Sequence, residues 1–215
     1  MSTSSTVHMK SKVVLGAGDM LQIVSRAWSE TSANETVRQV EIPQTADYAF
    51  DLRAMDELDP ATTLLFVAFD ERFGNFKRAE LMQMSLARGF QLGCIQALGA
   101  VVASDAKLGP NVFVGHGAIV SSGASVSFNS VIHAGAIVDF GARIKASCWI
   151  DSGVLVGRRA EIGAHSTLRA GVVIAPSVAI GRYCEIGVPG LYRTNVEAKT
   201  VLDPRYDEPL VVCGG

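Results

Sequence analysis

Four histidines, His8, His116, His133 and His165, are the side chains of this sequence best suited to move a proton near neutral pH. Eighteen residues beyond His133 stands Asp151, and Gly115, His133, Asp151 and Arg169 recur at that same interval. A carboxylate beside an imidazole fixes its tautomer and stabilises the imidazolium, as a general base requires. The same spacing also describes a surface His–Asp pair. His116 falls on the same side of the preceding interval as His133, whereas His165 shares its interval with Ser147 and Tyr183 and reads as structural. His8 lies in a polar N-terminal stretch. The remaining three histidines show no spacing that converges on one ion, so no metal is expected.

A second candidate is the loop Gly16, Ala17, Gly18, which follows an apolar run and precedes the amphipathic stretch Asp19 to Trp28. Strand, glycine turn and helix in that order begin nucleotide-binding βα units. Only half of the dinucleotide fingerprint is present, and Asp19 sits where the helix starts. A carboxylate suits a helix N-terminus but repels a pyrophosphate, so the loop is either a tight turn or a ligand loop. Cys94, Cys148, Cys184 and Cys213 contain no C-x-x-C pair and read as reduced, mostly buried thiols.

The element that positions His133 and Asp151 is a repeat. Every sixth residue from Val102 to Ile186 is aliphatic, and the residue two places earlier, from Ala100 to Cys184, is small or β-branched throughout. Neither a helix nor a long strand has this period. Short strands joined by turns into a triangular parallel coil do, with three hexads to a coil. The aliphatic residue then points into the prism and stacks on its equivalents at about 4.8 Å, and the small residue fits the corner. The coil spans 98–190, followed by a cap-and-return segment over 191–215.

The preceding half alternates strands with helices. Lys12 to Gly18, Val37 to Ile42, Leu64 to Phe69 and Phe90 to Ile95 read as strands; Asp19 to Trp28 and Phe76 to Arg88 read as helices. The fold class is therefore an α/β N-terminal domain with a small parallel, Rossmann-like sheet over 12–97, followed by an all-β parallel helix. Residues 1–11 read as a disordered N-terminus, and the joint falls near Gln96 to Ala100. With 48% hydrophobic and 19% charged residues the chain is globular, and a net charge of -2 without a basic stripe argues against nucleic acid. No run of about eighteen apolar residues predicts membrane insertion, and the polar N-terminus lacks a signal-peptide core, so a cytoplasmic protein is expected.

A small βαβ domain, a linker and a hexapeptide coil over nearly the whole chain resemble the hexapeptide-repeat sugar acyltransferases, whose coils are left-handed. The resemblance is to the sialic-acid O-acetyltransferase and the bacillosamine and perosamine N-acetyltransferase type. It is carried by Val13-Val-Leu-Gly-Ala-Gly18, by Phe66-Val-Ala-Phe69 leading to Asn75 and Arg78, and by Ala100 to Gly109. It implies a homotrimer that uses acetyl-CoA, grips a sugar-like or nucleotide-linked acceptor at Gly16, Ala17 and Gly18, and performs direct attack on the thioester between coils. It also puts Asp139 and Phe140 beside the acceptor, with Phe140 in the place of the family's catalytic histidine and Gly141 in that of its acidic partner. Trp149 takes the place of a second histidine near the thioester, with Gly153 and Gly171 along the cofactor. A phenyl ring cannot accept a proton, which leaves His133 with Asp151 as the replacement base. The alternative is a catalytically inactive or repurposed homologue serving as a binding or scaffold protein. The coil aromatics Phe128, Phe140, Trp149 and Tyr183 either fill the trimer interface or meet a pantetheine, adenine or substrate ring.

Overall fold

The computed structural model describes residues 11–33 and 35–212. His8 and Cys213 lie outside them, as does all of the 1–11 segment except Ser11, which already belongs to a strand.

Four parallel strands form the first sheet: β1 (Ser11–Gly16), β2 (Val37–Glu41), β3 (Thr63–Ala68) and β4 (Gln91–Leu92), in the order β2-β1-β3-β4. Both faces of the sheet are covered, so its two central strands read as unbroken apolar runs rather than alternating ones. Val14 and Phe66 pack toward helix α1 (Gly18–Thr31), while Val13, Leu15, Leu65 and Val67 pack toward Leu81 and Met82 of helix α2 (Phe76–Ala87). In α1, Met20, Leu21, Val24, Ala27 and Trp28 form the buried stripe that the 3.6-residue period demands. Asp19 opposes the positive dipole end of that helix. Gly16 has a steric reason to be glycine: a Cβ there would overlap the Ala68 carbonyl oxygen.

The run Phe90 to Ile95 is not one strand. Gln91–Leu92 closes the sheet, and Ile95–Gln96 pairs with Phe113–Val114 as the first rung of the coil, slightly earlier than the sequence suggests. From there the chain winds as a left-handed parallel β-helix with three faces. The first runs from Ile95–Gln96 through Val131–Ile132 and Trp149–Ile150 to Glu185–Ile186, the second from Val101–Val102 to Val172–Ile174, the third from Lys107–Leu108 to Ala179–Ile180. The inward aliphatics from Val114 to Ile186 are buried and form one continuous core. One corner of five successive coils is a glycine with a left-handed backbone: Gly99, Gly117, Gly135, Gly153 and Gly171 have φ between +65° and +82°. Regular spacing ends near Gly190, but the coil does not. Gly190–Tyr192 extends the second face and Thr200–Leu202 the first, with Leu210–Val211 folding back antiparallel.

The outward residues of the first face, Ile95, Phe113, Val131 and Trp149, are buried against α1 and Phe66. Two polar devices lock this contact. Asn111 accepts a hydrogen bond from Val67 N at 2.7 Å and donates to Val67 O at 3.1 Å and to Asn129 Oδ1 at 2.9 Å, and Asn129 donates to Ser147 Oγ at 3.0 Å. Arg78 of α2, 1% exposed, donates to the carbonyls of Asn129 (3.0 Å) and Cys148 (3.3 Å) in the coil, to those of Phe69 and Asp70 after β3, and to Asn75 Oδ1 at 2.9 Å. Its guanidinium also lies 5.3 Å from the Trp149 ring centroid. Burial pushes its pKa down to about 10, which leaves it cationic at neutral pH.

Arg78→Ala strands these carbonyls in the interior. Hydrogen bonds to a charged donor contribute about 1.5–3 kcal/mol each and do not sum, so a loss of about 3 kcal/mol or more is expected as a lower urea midpoint. An unchanged midpoint would contradict the clamp.

Candidate active site

In an open parallel sheet, ligands sit beyond the carboxyl ends of the strands where the crossovers diverge. Here that point lies between β1 and β3, whose ends lead into Ala17 on one side and Asp70 and Glu71 on the other. The coil closes it. Ile132 and Ile150 are paired, so the corner residues that follow, His133 and Asp151, stand one coil apart on the same edge. The result is a cleft of about 300 Å³ lined by Ala17, Asp19, Met20, Ile23, Asp70, Glu71, His133 and Trp149.

His133 is largely covered, and its Nε2 is buried without a hydrogen-bond partner among the described residues. Its ring centroid lies 4.4 Å from that of Trp149. Burial lowers its pKa from the ordinary histidine value, the Asp151 and Glu71 charges oppose the shift, and Arg78 adds to it. The ring is therefore neutral at pH 7 and can accept a proton.

Asp151 is less free than its spacing suggests. Its Oδ1 accepts a 2.6 Å hydrogen bond from Trp149 Nε1, and its Oδ2 faces Arg169 at 3.8 Å, so it acts on His133 through its charge. Arg169 also donates to Glu71 at 2.7 Å and to Glu185 at 2.9 Å. Glu71 is half-buried; burial raises its pKa, but the Arg169 hydrogen bond and charge outweigh that and hold it below the usual carboxylate value.

Of the glycine loop only Ala17 lines the cleft. Gly16 is buried against Ala68, and Gly18, with φ +61°, begins α1. Trp149, 5% exposed, packs between coil and sheet domain rather than pointing to an oligomer interface. Asp139 and Phe140 do not reach the cleft within one chain, because the whole Ile137–Val138 rung separates their edge from that of His133. Asp139 instead accepts a hydrogen bond from Phe140 N at 2.6 Å, and Phe140 is exposed near Arg159. Gly153 and Gly171 are exposed turn residues on the edge shared by Asp151 and Arg169.

His116 points outward, one place past the ladder residue Gly115, and bonds Glu30 of α1 at 2.8 Å. His165 stacks on Phe76 (4.7 Å between centroids) and Tyr183 (5.3 Å), in keeping with a structural role. Phe128 is exposed beside that stack. Cys148 and Cys184 are buried free thiols, that of Cys148 pushed up to about 12 by burial, whereas Cys94 is exposed. Among the described residues no three His, Cys, Asp or Glu side chains converge as metal ligands, and no helix is long and apolar enough to cross a membrane.

The sequence reading missed Asp70, Glu71, Met20 and Ile23. A signal existed for the first two, because polar residues directly after the apolar β3 run mark a strand's carboxyl end.

A Rossmann-like sheet docked on a left-handed β-helix, with a cleft at their junction, is the class that fold and site define. PerB from Caulobacter crescentus, solved with CoA and GDP-perosamine, is 25% identical with a TM-score of 0.76, over 89% of this chain and 93% of that one. A histidine-to-alanine mutant of GDP-perosamine N-acetyl transferase from Caulobacter crescentus, also solved with CoA and GDP-perosamine, is 24% identical with a TM-score of 0.78, over 93% and 97%. A histidine-to-asparagine mutant of perosamine N-acetyltransferase from the same organism is 23% identical with a TM-score of 0.65. No protein-family model matches the chain, and neither does any curated protein.

Because the folded-state pKa of His133 lies below its unfolded value, the unfolded chain takes up the proton first, and stability is lost as pH falls through 6.5. An NMR titration of His133 should give a midpoint below 6.5. Trp149→Phe, which frees Asp151 Oδ1 from the indole, should raise that midpoint. A wild-type midpoint above 6.5 would contradict the assigned environment.

Proposed function

We propose that this chain is an acyl-CoA-dependent acyltransferase, with acetyl-CoA as donor substrate and an amino or hydroxyl group of a sugar or nucleotide-linked sugar as acceptor. One observation carries this reading: a cleft at the sheet's divergence point is closed by a neutral coil histidine whose Nε2 has no partner among the described residues. Support comes from solved structures of the same fold, of which PerB, at 25% identity, holds CoA and GDP-perosamine. A CoA thioester as donor would support the cytoplasmic location expected from the sequence.

In the proposed step the acceptor's lone pair attacks the thioester carbonyl carbon and His133 takes the proton released. The new C–N or C–O bond forms as the C–S bond breaks, and the proton passes to the departing CoA sulfur. Asp151 stabilises the transient imidazolium by its charge, and the catalytic assignment is His133 with Asp151.

A homotrimer is part of the same reading, and the second face supports it. Its outward residues are aliphatic at every rung, Val101, Ile119, Ile137, Leu155, Val173 and Leu191, and Val101 is 59% exposed. The third face instead carries Arg143 paired with Glu161. The second face is bordered by the His133 edge on one side and the Asp139–Phe140 edge on the other. Packing it against another copy would bring one protomer's Phe140 toward its neighbour's His133, where Phe140, Gly153 and Gly171 could meet the CoA arm.

Thiol release from acetyl-CoA in the presence of amino sugars and their nucleotide-linked forms tests the reading, and acceptor-dependent release is expected. His133→Ala should cut it about a hundred- to ten-thousand-fold while leaving the assembly intact, and Asp151→Asn should cost less. No acceptor-dependent release with any of them would remove the acyltransferase reading. Sedimentation should give a trimer at micromolar concentration; a stable monomer would remove the shared seam.

A further inference from the structure

A second groove, sharing no lining residue with the cleft, lies between α2 and the edge where the third coil face meets the first. It encloses about 320 Å³, with Phe76, Glu80 and Gln83 on the helix side and Phe128, Ser147 and His165 on the coil side. The helix residues recur at i, i+4 and i+7 and so share one face, apart from the stripe of Leu81 and Met82 that packs on the sheet. Two large rings are left open here, Phe76 at 52% and Phe128 at 44% exposure. Phe76 is held in place by His165, whose ring lies 19° from parallel at 4.7 Å and continues the stack to Tyr183.

The polar groups of the groove are open as well. Along the Asn111–Asn129–Ser147 ladder each amide donates to the next oxygen, and the series ends at Ser147, 1% exposed, on the groove wall. Ser147 Oγ accepts from Asn129, but its own O–H has no acceptor among the described residues. A buried hydroxyl proton at a groove wall is completed by an oxygen in the groove. Gln83 is exposed and has no hydrogen bond among the described residues. Glu80 engages Lys77 through Oε2 alone, at 2.7 Å, which balances its charge and leaves Oε1 open. Among the described residues no lysine or arginine lines the groove, so nothing there is suited to a phosphate.

We propose that this groove is a second, non-catalytic site that binds a neutral pyranose. A pyranose presents C–H groups on its faces and hydroxyls around its rim. The faces suit Phe76 and Phe128, and the rim suits the Gln83 amide, the Glu80 carboxylate and the Ser147 hydroxyl proton. The volume falls at the lower end of small-molecule sites, about 300–1,000 Å³, and suits a single sugar residue. The edge stands opposite the aliphatic second face, so the groove stays open if that face packs against other copies. Binding here does not depend on the acyl-transfer reading.

Saturation-transfer NMR on the full chain tests this. The probes are the methyl glycosides of glucose, galactose and mannose, with cyclohexanol as a ring lacking the hydroxyl rim and tetramethylammonium as a cation that aromatic rings and a carboxylate could also hold. At least one glycoside should bind at millimolar concentration and more tightly than either control. Phe128→Ala and Gln83→Ala, both at exposed positions, should each weaken that binding about tenfold without moving the urea midpoint, and His133→Ala should leave it unchanged. No transfer to any glycoside at tens of millimolar would overturn the proposal, as would tighter binding of cyclohexanol or tetramethylammonium. Glycoside binding lost in His133→Ala but kept in Phe128→Ala would place the sugar in the cleft and overturn it too. A changed sedimentation coefficient in Phe128→Ala would make the groove an interface between copies, which also contradicts a sugar site.

Discussion

One buried guanidinium holds the two halves of this protein in register. Arg78 has almost no contact with solvent, and its donors are divided between the loop after β3 and the carbonyls of two successive coils. A cation in the interior survives only where each N–H finds an acceptor, and an Arg fork meets several acceptors at once where a lysine cannot. Its geometry therefore fixes the distance from the end of β3 to the coil, and with it the width of the cleft.

The Asn111–Asn129–Ser147 ladder works toward the same end by another route. Successive coils stack equivalent residues, so one asparagine that bonds both backbone groups of Val67 transmits the sheet's position down the coil edge. Apolar burial between α1 and the first face supplies most of the adhesion, at about 25 cal/mol per Å². The polar pairs supply the register. His133 and Trp149 belong to the coil while Asp19 and Glu71 belong to the sheet domain, so the chemistry of the cleft depends on this docking rather than on either half alone.

The coil was legible because its inward positions admit only aliphatic residues of limited size, which imprints a period no other architecture shares. The two central sheet strands were legible as apolar runs, whereas at Phe90 to Ile95 one run serves two sheets. What the sequence hides is which coil face is covered. Phe113, Val131 and Trp149 recur at the coil interval, yet the aliphatic second face recurs just as regularly, and only the docking of α1 separates them. Arg78 was visible as a motif residue but not as a buried one, since arginine is normally exposed. Spacing alone put Asp151 one coil from His133 on the same edge, but not within its hydrogen bonds. Its hydrogen bond to Trp149 depends on side-chain direction at the strand's end, which spacing does not encode.

Where the reaction takes place is tested most directly by a crystal structure holding CoA together with a sugar or nucleotide-linked sugar acceptor. The acceptor's amino or hydroxyl group should lie within hydrogen-bond reach of His133, about 2.6–3.2 Å, between the ends of β1 and β3. An acceptor seated on another edge of the coil, with the cleft between His133 and Glu71 empty, would contradict this site.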